Sequence, residues 1–269
     1  MTKVLRFNLF QPVAHFRDPK VLQDDFIATL NLPAPTTIVG MLSYLCDCKF
    51  NENLEVAVIG THEKKEVHFS RGEREDFWRK YQTYVKKKEE SLQKSGTTYL
   101  HYKHNIAENR MMYSEVLRNL ELTIFIKASD AVLELLLENL TNPKRYLSLG
   151  RKEDTALLVG ARQVGYVKST PAIVDIEELE MGHVSEALSK QVKLMHSYVA
   201  IDEMASAKLL ASGTLFTLPY TYQDLAASKI NTQKLYRNYI YIEEGVYPEN
   251  CTVYCYKKNQ EESEYFLWM

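Results

Sequence analysis

The first stretch with residue types suited to holding a polyanion is residues 32–42. Pro33 and Pro35 keep the chain extended before Thr36 and Thr37, which open an apolar helix. We expect a threonine hydroxyl to cap the free amides of the first helical turn. A helix N-terminus presented in this way attracts anions, including phosphates.

A second stretch, residues 146–153, places two cations directly after a glycine. A short apolar segment ends at Gly150, and Arg151 and Lys152 follow at once. Cations of this kind suit contact with phosphate oxygens, although a plain turn with a surface cation is the alternative. Together the two stretches indicate a protein that holds a polyanionic backbone and does not break bonds.

A third cluster carries the residue types of RNA cleavage: His101, Tyr102, Lys103 and His104. Metal-independent cleavage needs a base for the 2′-hydroxyl proton and a cation for the charged phosphorane. On an extended arm His101 and Lys103 share one face, whereas Tyr102 and His104 share the other. No histidine here has an evident partner that orients it, so a surface arm is favoured and catalysis is the alternative.

Composition limits the class of protein. The 269 residues are 45% hydrophobic and 25% charged, which is ordinary for a globular chain. The formal net charge of −2 argues against nucleic-acid binding by bulk charge but allows a local basic patch. No apolar run is long enough to span a membrane, and the first residues lack a secretory core, so we expect a cytoplasmic protein without membrane contact.

The four cysteines form two distant pairs, Cys46 with Cys48 and Cys251 with Cys255. Two such pairs could form a tetrahedral zinc site, but the spacing departs from the usual C-x2-C pattern. Buried, reduced thiols are the favoured interpretation. We therefore expect no metal and no cofactor.

The hydrophobic pattern predicts an α+β fold with a ferredoxin-like (RRM-type) β-α-β-β-α-β core. Such a sheet carries helices on one face and leaves the other available for RNA. The predicted core strands are Val4–Val13, Leu54–Gly60, Leu120–Lys127 and Arg145–Leu149, and the predicted helices are Thr36–Cys46 and Asp130–Leu140.

The remaining pattern predicts a β-hairpin inserted into the core and a small β-rich C-terminal part. The hairpin arms are Thr97–His104 and Arg110–Leu117, after a charged, helical stretch at Gly72–Lys94. We place a boundary near residue 160, giving an RRM-like region 1–160 and a β-rich region 161–269 packed on it. The later predicted strands are Gln163–Lys168, Met195–Asp202, Gly213–Pro219, Tyr236–Ile242 and Thr252–Tyr256.

Three blocks in order resemble the Cas-five family, the CRISPR-associated RAMP proteins of type I Cascade complexes. They are Phe16-Arg17 after the first strand, the Pro-x-Pro-Thr-Thr-Ile-Val-Gly-Met-Leu start of the first helix, and residues 149–153. The resemblance covers about the first 165 residues, and residues 213–219 add a looser match. The length and motifs look most like the type I-B branch.

The resemblance implies a non-catalytic subunit for CRISPR antiviral defence. It would bind the 5′ handle of the crRNA, cap the backbone beside the Cas-seven subunit, and contact the Cas-eight large subunit that reads the PAM. Target DNA would be met only indirectly, within the complex. The insertion between core strands, residues 66–117, would form a protruding thumb. One branch of the family cuts pre-crRNA, so a metal-independent endoribonuclease using His101 and Lys103 is the alternative.

The RNA-binding candidates combine the residue patterns with this resemblance. Several have a structural alternative: the methionines could pack the hairpin, Arg71 could lie on a solvated helix, and Phe16 could belong to the core. The candidates are Phe16, Arg17, Thr36, Thr37, Gly40, Tyr44, Arg71, Arg110, Met111, Met112, Arg151 and Lys152.

Overall fold

The computed structural model describes residues 2–21, 25–50, 54–72, 110–158, 170–182, 189–201, 213–224, 232–249, 251–259 and 262–269. These ranges contain two helices and eleven strands. The helices are α1 Pro35–Cys46 and α2 Asp130–Thr141. The strands are β1 Thr2–Ala14, β2 Phe26–Ile27, β3 Glu55–Thr61, β4 Lys64–Gly72, β5 Arg110–Lys127, β6 Ala172–Glu180, β7 Ser197–Ala200, β8 Thr214–Asp224, β9 Thr232–Ile242, β10 Thr252–Lys257 and β11 Ser263–Phe266.

The strands form one sheet that is mostly antiparallel. Nine of them follow the order β11-β10-β6-β1-β5-β3-β7-β9-β8, and β2 and β4 each pair with β5. β1 lies between β5 and β6, with Leu5 opposite both Ile126 and Ile173. Along the chain, α1 lies between β2 and β3, and α2 follows β5. The protein is therefore a mixed α/β fold, and the predicted first strand, second strand and both helices are confirmed.

Alternation along β1 explains where the main core lies. Leu5, Phe7 and Leu9 point to one face of the sheet and are fully buried. The two helices cover that face through Leu42 of α1 and Leu136 of α2, and the five side chains belong to one cluster. Burial of each such side chain stabilises the fold by about 1.5–3 kcal/mol. This core fixes α1 across the sheet.

The opposite face of the sheet is covered by the C-terminal residues. Val4 and Phe125 pack there against Phe266 and Trp268, and the rings of Phe125 and Phe266 stack with centroids 4.0 Å apart. The backbone N–H of Met269 donates to the carbonyl of Val56. The expectation that this face is open for RNA is therefore wrong for the region around Val4 and Phe125.

A bidentate ion pair holds this C-terminal cover to β1. The Arg6 guanidinium donates to both carboxylate oxygens of Glu264, at 2.8 and 2.6 Å. The same guanidinium lies 5.0 Å from the ring centroid of Tyr256. Both charged side chains are largely shielded from water, so the pair is stronger than an ordinary surface salt bridge.

The strand predicted at Arg145–Leu149 does not form, and β6 occupies the position beside β1. Gln11 of β1 explains why, because its side-chain amide donates to the carbonyls of Leu149 and Asp154 at 2.9 and 3.2 Å. These contacts hold residues 145–154 as a folded loop. The strands after residue 161 join the same sheet, and residues 159–169, around the expected boundary, lie outside the described ranges.

The predicted hairpin is also arranged differently. Residues 110–127 form the single long strand β5, whose first half pairs with β4, a strand that the sequence pattern did not predict. β4 and this half of β5 belong to the expected thumb. The other predicted arm, Thr97–His104, and nearly all of the predicted helix Gly72–Lys94 lie outside the described residues. Within the described ranges, no helix is long and apolar enough to cross a membrane.

Candidate nucleic-acid interface

The N-terminus of α1 is buried, and the Thr37 N–H donates to the Ala34 carbonyl at 2.9 Å. Ala34 is its N-cap residue, no side chain caps it, and Pro35 has no amide hydrogen to satisfy. The Thr36 hydroxyl instead donates to the carbonyl of Pro219 at 3.2 Å, and Thr36 is 5% exposed. The prediction of a threonine cap is therefore wrong, and Thr36 is unavailable for RNA because it joins α1 to β8.

The outward face of α1 presents a candidate surface. Thr37, Gly40 and Tyr44 share this face by helical spacing, Tyr44 is 54% exposed, and a Cβ at Gly40 would meet open space. The Arg145 guanidinium lies 4.9 Å from the Tyr44 ring centroid and forms an ion pair with Asp47 at 2.7 Å. Arg145 also donates to the Tyr44 carbonyl, so it stabilises the C-terminus of the helix.

Gly150 brings the second stretch against the end of β1. Its φ of +91° is a conformation that residues with a Cβ rarely adopt. A Cβ at this position would lie 2.6 Å from the His15 carbonyl oxygen and 3.2 Å from the Phe16 ring. Phe16 is itself 4% exposed and belongs to the core, so its ring positions the glycine turn and is not free for a base.

Arg151 forms a bidentate ion pair inside this turn. Its Nε and Nη2 atoms donate to the two carboxylate oxygens of Asp154, at 3.0 and 2.9 Å. Asp154 is 3% exposed and also accepts the backbone N–H of His15. The hydrogen bond from Arg151 raises the pKa of that arginine. Arg151 is therefore first a structural cation that ties the glycine turn to β1.

Two arginines, Arg151 and Arg17, lie close enough to His15 to affect its pKa. Burial is the main cause that lowers its pKa, and the positive charges of Arg151 and Arg17 lower it further. Its Nδ1–H donates to the carbonyl of Glu115 at 2.7 Å, which raises the pKa in part. We call Arg17, Arg151 and Lys152 the cation cluster, because the lowered pKa of His15 leaves that side chain uncharged near neutral pH.

Two members of the cation cluster are open to solvent. Arg17 and Lys152 are both exposed, and neither forms an ion pair with any side chain in the described ranges. The backbone of Arg17 forms an isolated antiparallel β-bridge with the backbone of Thr29. Lys152 lies in the turn after Gly150. The arrangement leaves these two charges available for an anion, while Arg151 and Asp154 hold the turn in place.

The thumb residues are described only in part. Met112 is half-buried on β5, whereas for Arg71, Arg110 and Met111 only the backbone is described, in the ladder of β4 with β5. His101 and Lys103 lie outside the described residues, as do Tyr102 and His104. The alternative catalytic site therefore lies outside the part of the chain that the structure describes.

Sequence reasoning did not identify His15, Asp154, Lys65 or Glu115. Two signals point to the first pair: His15 directly precedes Phe16, and Asp154 follows Arg151 by three residues. Lys65 donates to the carbonyl of Thr29 at 3.3 Å, and Glu115 accepts the Thr29 N–H at 3.0 Å. These contacts couple the thumb base to the segment after Arg17 and depend on tertiary pairing.

The cysteines show no metal cluster in the described part of the chain. No three histidine, cysteine or acidic side chains converge there, and all four cysteines are free thiols. Burial, with a smaller contribution from Cys48, raises the pKa of the Cys46 thiol to about 11. Cys46 is therefore protonated near neutral pH.

Three solved structures are similar to this chain. One is a chain of a CRISPR RNA-guided surveillance complex, with a TM-score of 0.41, 14% identity, and coverage of 92% of this chain and 91% of that chain. A CRISPR protein from Archaeoglobus fulgidus has a TM-score of 0.40 and 10% identity, with 100% of both chains covered. A chain of the type III-B Cmr-beta complex, bound to cognate target RNA and AMPPnP, has a TM-score of 0.39 and 13% identity, covering 91% and 85%.

Sequence comparison gives the family directly. No curated protein matches this chain. The model of the family described as CRISPR-associated protein (Cas_Cas5) matches residues 4–205, which is most of the chain and includes both α1 and the Gly150 turn. The predicted resemblance to the Cas-five family is thereby confirmed. The chain belongs to the CRISPR-associated protein (Cas_Cas5) family.

Proposed function

We propose that this protein is a non-catalytic subunit of a Cascade complex and binds the 5′ handle of crRNA at the cation cluster. Family membership supports a CRISPR role. The observation that carries the RNA site is the pair of exposed cations, Arg17 and Lys152, held beside the rigid Gly150 turn in a chain of net charge −2. Local cations of this kind contact phosphates without bulk attraction.

The proposal includes finer features of fold and assembly. The central order β6-β1-β5-β3, with a helix after β1 and another after β5, supports a ferredoxin-like core. The outward face of α1 extends the RNA surface. The neighbours in the complex are the Cas-seven backbone subunit and the Cas-eight large subunit, with target DNA met indirectly. We place the protein in a type I-B system in the cytoplasm.

The first test measures RNA binding by the whole chain. A fluorescent RNA carrying the CRISPR repeat of the same organism is titrated with the wild type and with an Arg17→Gln/Lys152→Gln variant. Removing two phosphate contacts lowers affinity about tenfold at 0.1 M salt and reduces the slope of log affinity against log salt by about 1.4. Lys3→Gln is the matched control, because Lys3 lies at the far end of β1 and is exposed.

The result that refutes the RNA site is equally direct. If the double variant binds the repeat RNA with wild-type affinity and salt slope, the cation cluster does not contact phosphates. Co-purification of the tagged chain with its neighbours and crRNA tests the Cascade role separately. A chain that binds RNA but never co-purifies with other CRISPR-associated subunits would contradict that role.

A further inference from the structure

The sheet face beneath the C-terminal cover carries residue types suited to a nucleotide. Arg6 of β1 and Phe125 of β5 are register partners on two central strands. Both side chains lie on the face opposite the main core, and the Arg6 guanidinium is 5.9 Å from the Phe125 ring centroid. A ring beside a cation suits one nucleotide of single-stranded RNA, because the ring stacks on the base and the cation contacts the phosphate.

Asn8 adds a polar group to the same face. It lies two residues after Arg6 on β1, so the two side chains project to the same side of the sheet. The side-chain oxygen of Asn8 is buried and accepts no hydrogen bond from any residue in the described part of the chain. Buried polar atoms without a partner are rare in folded proteins. The amino group of a nucleobase would supply the donor that Asn8 lacks.

The C-terminal cover holds a ring and an anion where a nucleotide would hold its base and phosphate. Phe266 lies on the Phe125 ring in a nearly parallel stack, with centroids 4.0 Å apart and an interplanar angle of 15°. The Glu264 carboxylate accepts two hydrogen bonds from the Arg6 guanidinium, which is also how an arginine binds a phosphate. Both groups come from the one strand β11.

The cover is firmly closed in the isolated protein. Phe266 is fully buried, and Trp268 packs edge-on against it at 5.3 Å between ring centroids. The neighbouring Leu267 belongs to a separate apolar cluster, with Val253 of β10. Opening the cover would expose all three side chains to water, so the closed arrangement dominates and RNA is excluded from this face.

We propose that the face around Arg6 and Phe125 is a second site for single-stranded RNA, which the C-terminal cover keeps closed by occupying the base and phosphate positions. The site uses none of the residues of the cation cluster. An apolar protein segment in its place would leave Arg6 and Asn8 without partners, whereas RNA offers an anion and a donor. Closure restricts RNA to the exposed cations elsewhere on the chain.

The test opens the cover in the full chain. Glu264→Gln/Phe266→Ala is made in the Arg17→Gln/Lys152→Gln background, and both chains are titrated with a fluorescent oligouridine of about twelve nucleotides. We expect the opened variant to bind about tenfold more tightly than its background. The slope of log affinity against log salt becomes steeper by about 0.7, the value for one phosphate contact on a single strand.

Further substitutions assign the gained affinity to particular groups. Adding Arg6→Gln to the opened variant removes the steeper salt slope, whereas adding Phe125→Leu lowers affinity about tenfold and leaves the slope unchanged. Glu262→Gln in the background chain is the matched control, because it removes a carboxylate of the same hairpin that pairs only with Lys258, at 3.1 Å, among the ion pairs of the described residues. This control is expected to bind as the background does.

Thermal unfolding verifies that each variant folds. If the opened variant does not fold, Glu264→Gln/Phe266→Leu takes its place, because leucine keeps apolar bulk on the sheet but loses the stacked ring. The same gain in affinity and salt slope is expected of it. Equal oligouridine affinity in this variant and its background overturns the proposal.

Three results would refute the second site. The first is a folded opened variant that binds oligouridine no more tightly than its background. The second is tighter binding that persists after Arg6→Gln with an unchanged salt slope, which is adhesion to an apolar surface. The third is self-association in sedimentation without RNA binding, which assigns the face to protein contacts. Because the background lacks both exposed cations of the cation cluster, none of these results depends on the proposed function.

Discussion

Replacing Gly150 by alanine tests whether the glycine turn holds the interface together. The residue has a φ of +91°, and the left-handed conformation costs a residue with a Cβ about 1–2 kcal/mol. The new Cβ would lie 2.6 Å from the His15 carbonyl oxygen, a backbone atom that cannot rotate away. Overpacking of this kind costs about 1–3 kcal/mol, so we expect a total loss of about 2–5 kcal/mol in the free energy of unfolding.

Gly40→Ala is the matched control, because the same chemical change there meets nothing within 4 Å. Gly40 is exposed in the middle of α1, where alanine is the better helix former, so this variant gains up to about 1 kcal/mol. Urea denaturation of both variants measures the difference. If the free energy of unfolding of Gly150→Ala lies within about 0.5 kcal/mol of the wild-type value, the close approach to His15 does not constrain the turn and the reasoning fails.

Three further predictions concern His15, the pair of Arg6 with Glu264, and RNA cleavage. Because burial holds the pKa of His15 below 6.5, the unfolded chain binds more protons, and the free energy of unfolding falls as the pH drops below about 6.5. We expect His15→Asn to weaken this pH dependence in urea titrations carried out at several pH values. Burial also lowers the pKa of His62, which accounts for part of the dependence that remains. Glu264→Ala leaves the shielded Arg6 without its carboxylate and costs about 1–3 kcal/mol, with faster proteolysis near the C-terminus; unchanged proteolysis and stability would contradict the anchoring role. Purified protein leaves repeat RNA intact with or without EDTA, and cleavage that disappears in His101→Ala would instead assign it the endoribonuclease activity.

Periodicity predicted the elements whose apolar residues repeat at strand or helix spacing. Leu5, Phe7 and Leu9 of β1 and the apolar stripe of α1 repeat in this way toward the main core, although β1 also buries Val4 on the opposite face. β4 was missed because its alternation is short: Val67 and Phe69 are apolar on one face, and charged or polar residues occupy most of the rest of Lys64–Gly72. Its pairing with β5, which is distant in sequence, is not visible in a local pattern.

The candidate site also combines residues that the sequence indicates with contacts that only the folded chain creates. The Gly150 turn is visible in sequence because a glycine stands directly before two cations, whereas Arg17 was indicated by the resemblance to the Cas-five family. The pairing of Arg151 with Asp154 and the convergence on His15 depend on where β1 ends in space, which local patterns do not encode. The prediction of a cap at Thr36 failed because its hydroxyl donates to a carbonyl of β8, 183 residues away, and not to its own helix.

The C-terminal cover also determines when the sheet can be completed during synthesis. The apolar face around Phe125 meets Phe266 only after the intervening chain of about 140 residues is made. At a translation rate of about 5–20 residues per second, this face stays open to water for about 10–30 s. A nascent chain in that interval carries an uncovered β-surface of the kind that associates with other chains. We therefore expect the chain to associate with other chains most readily in that interval, before the last strands arrive.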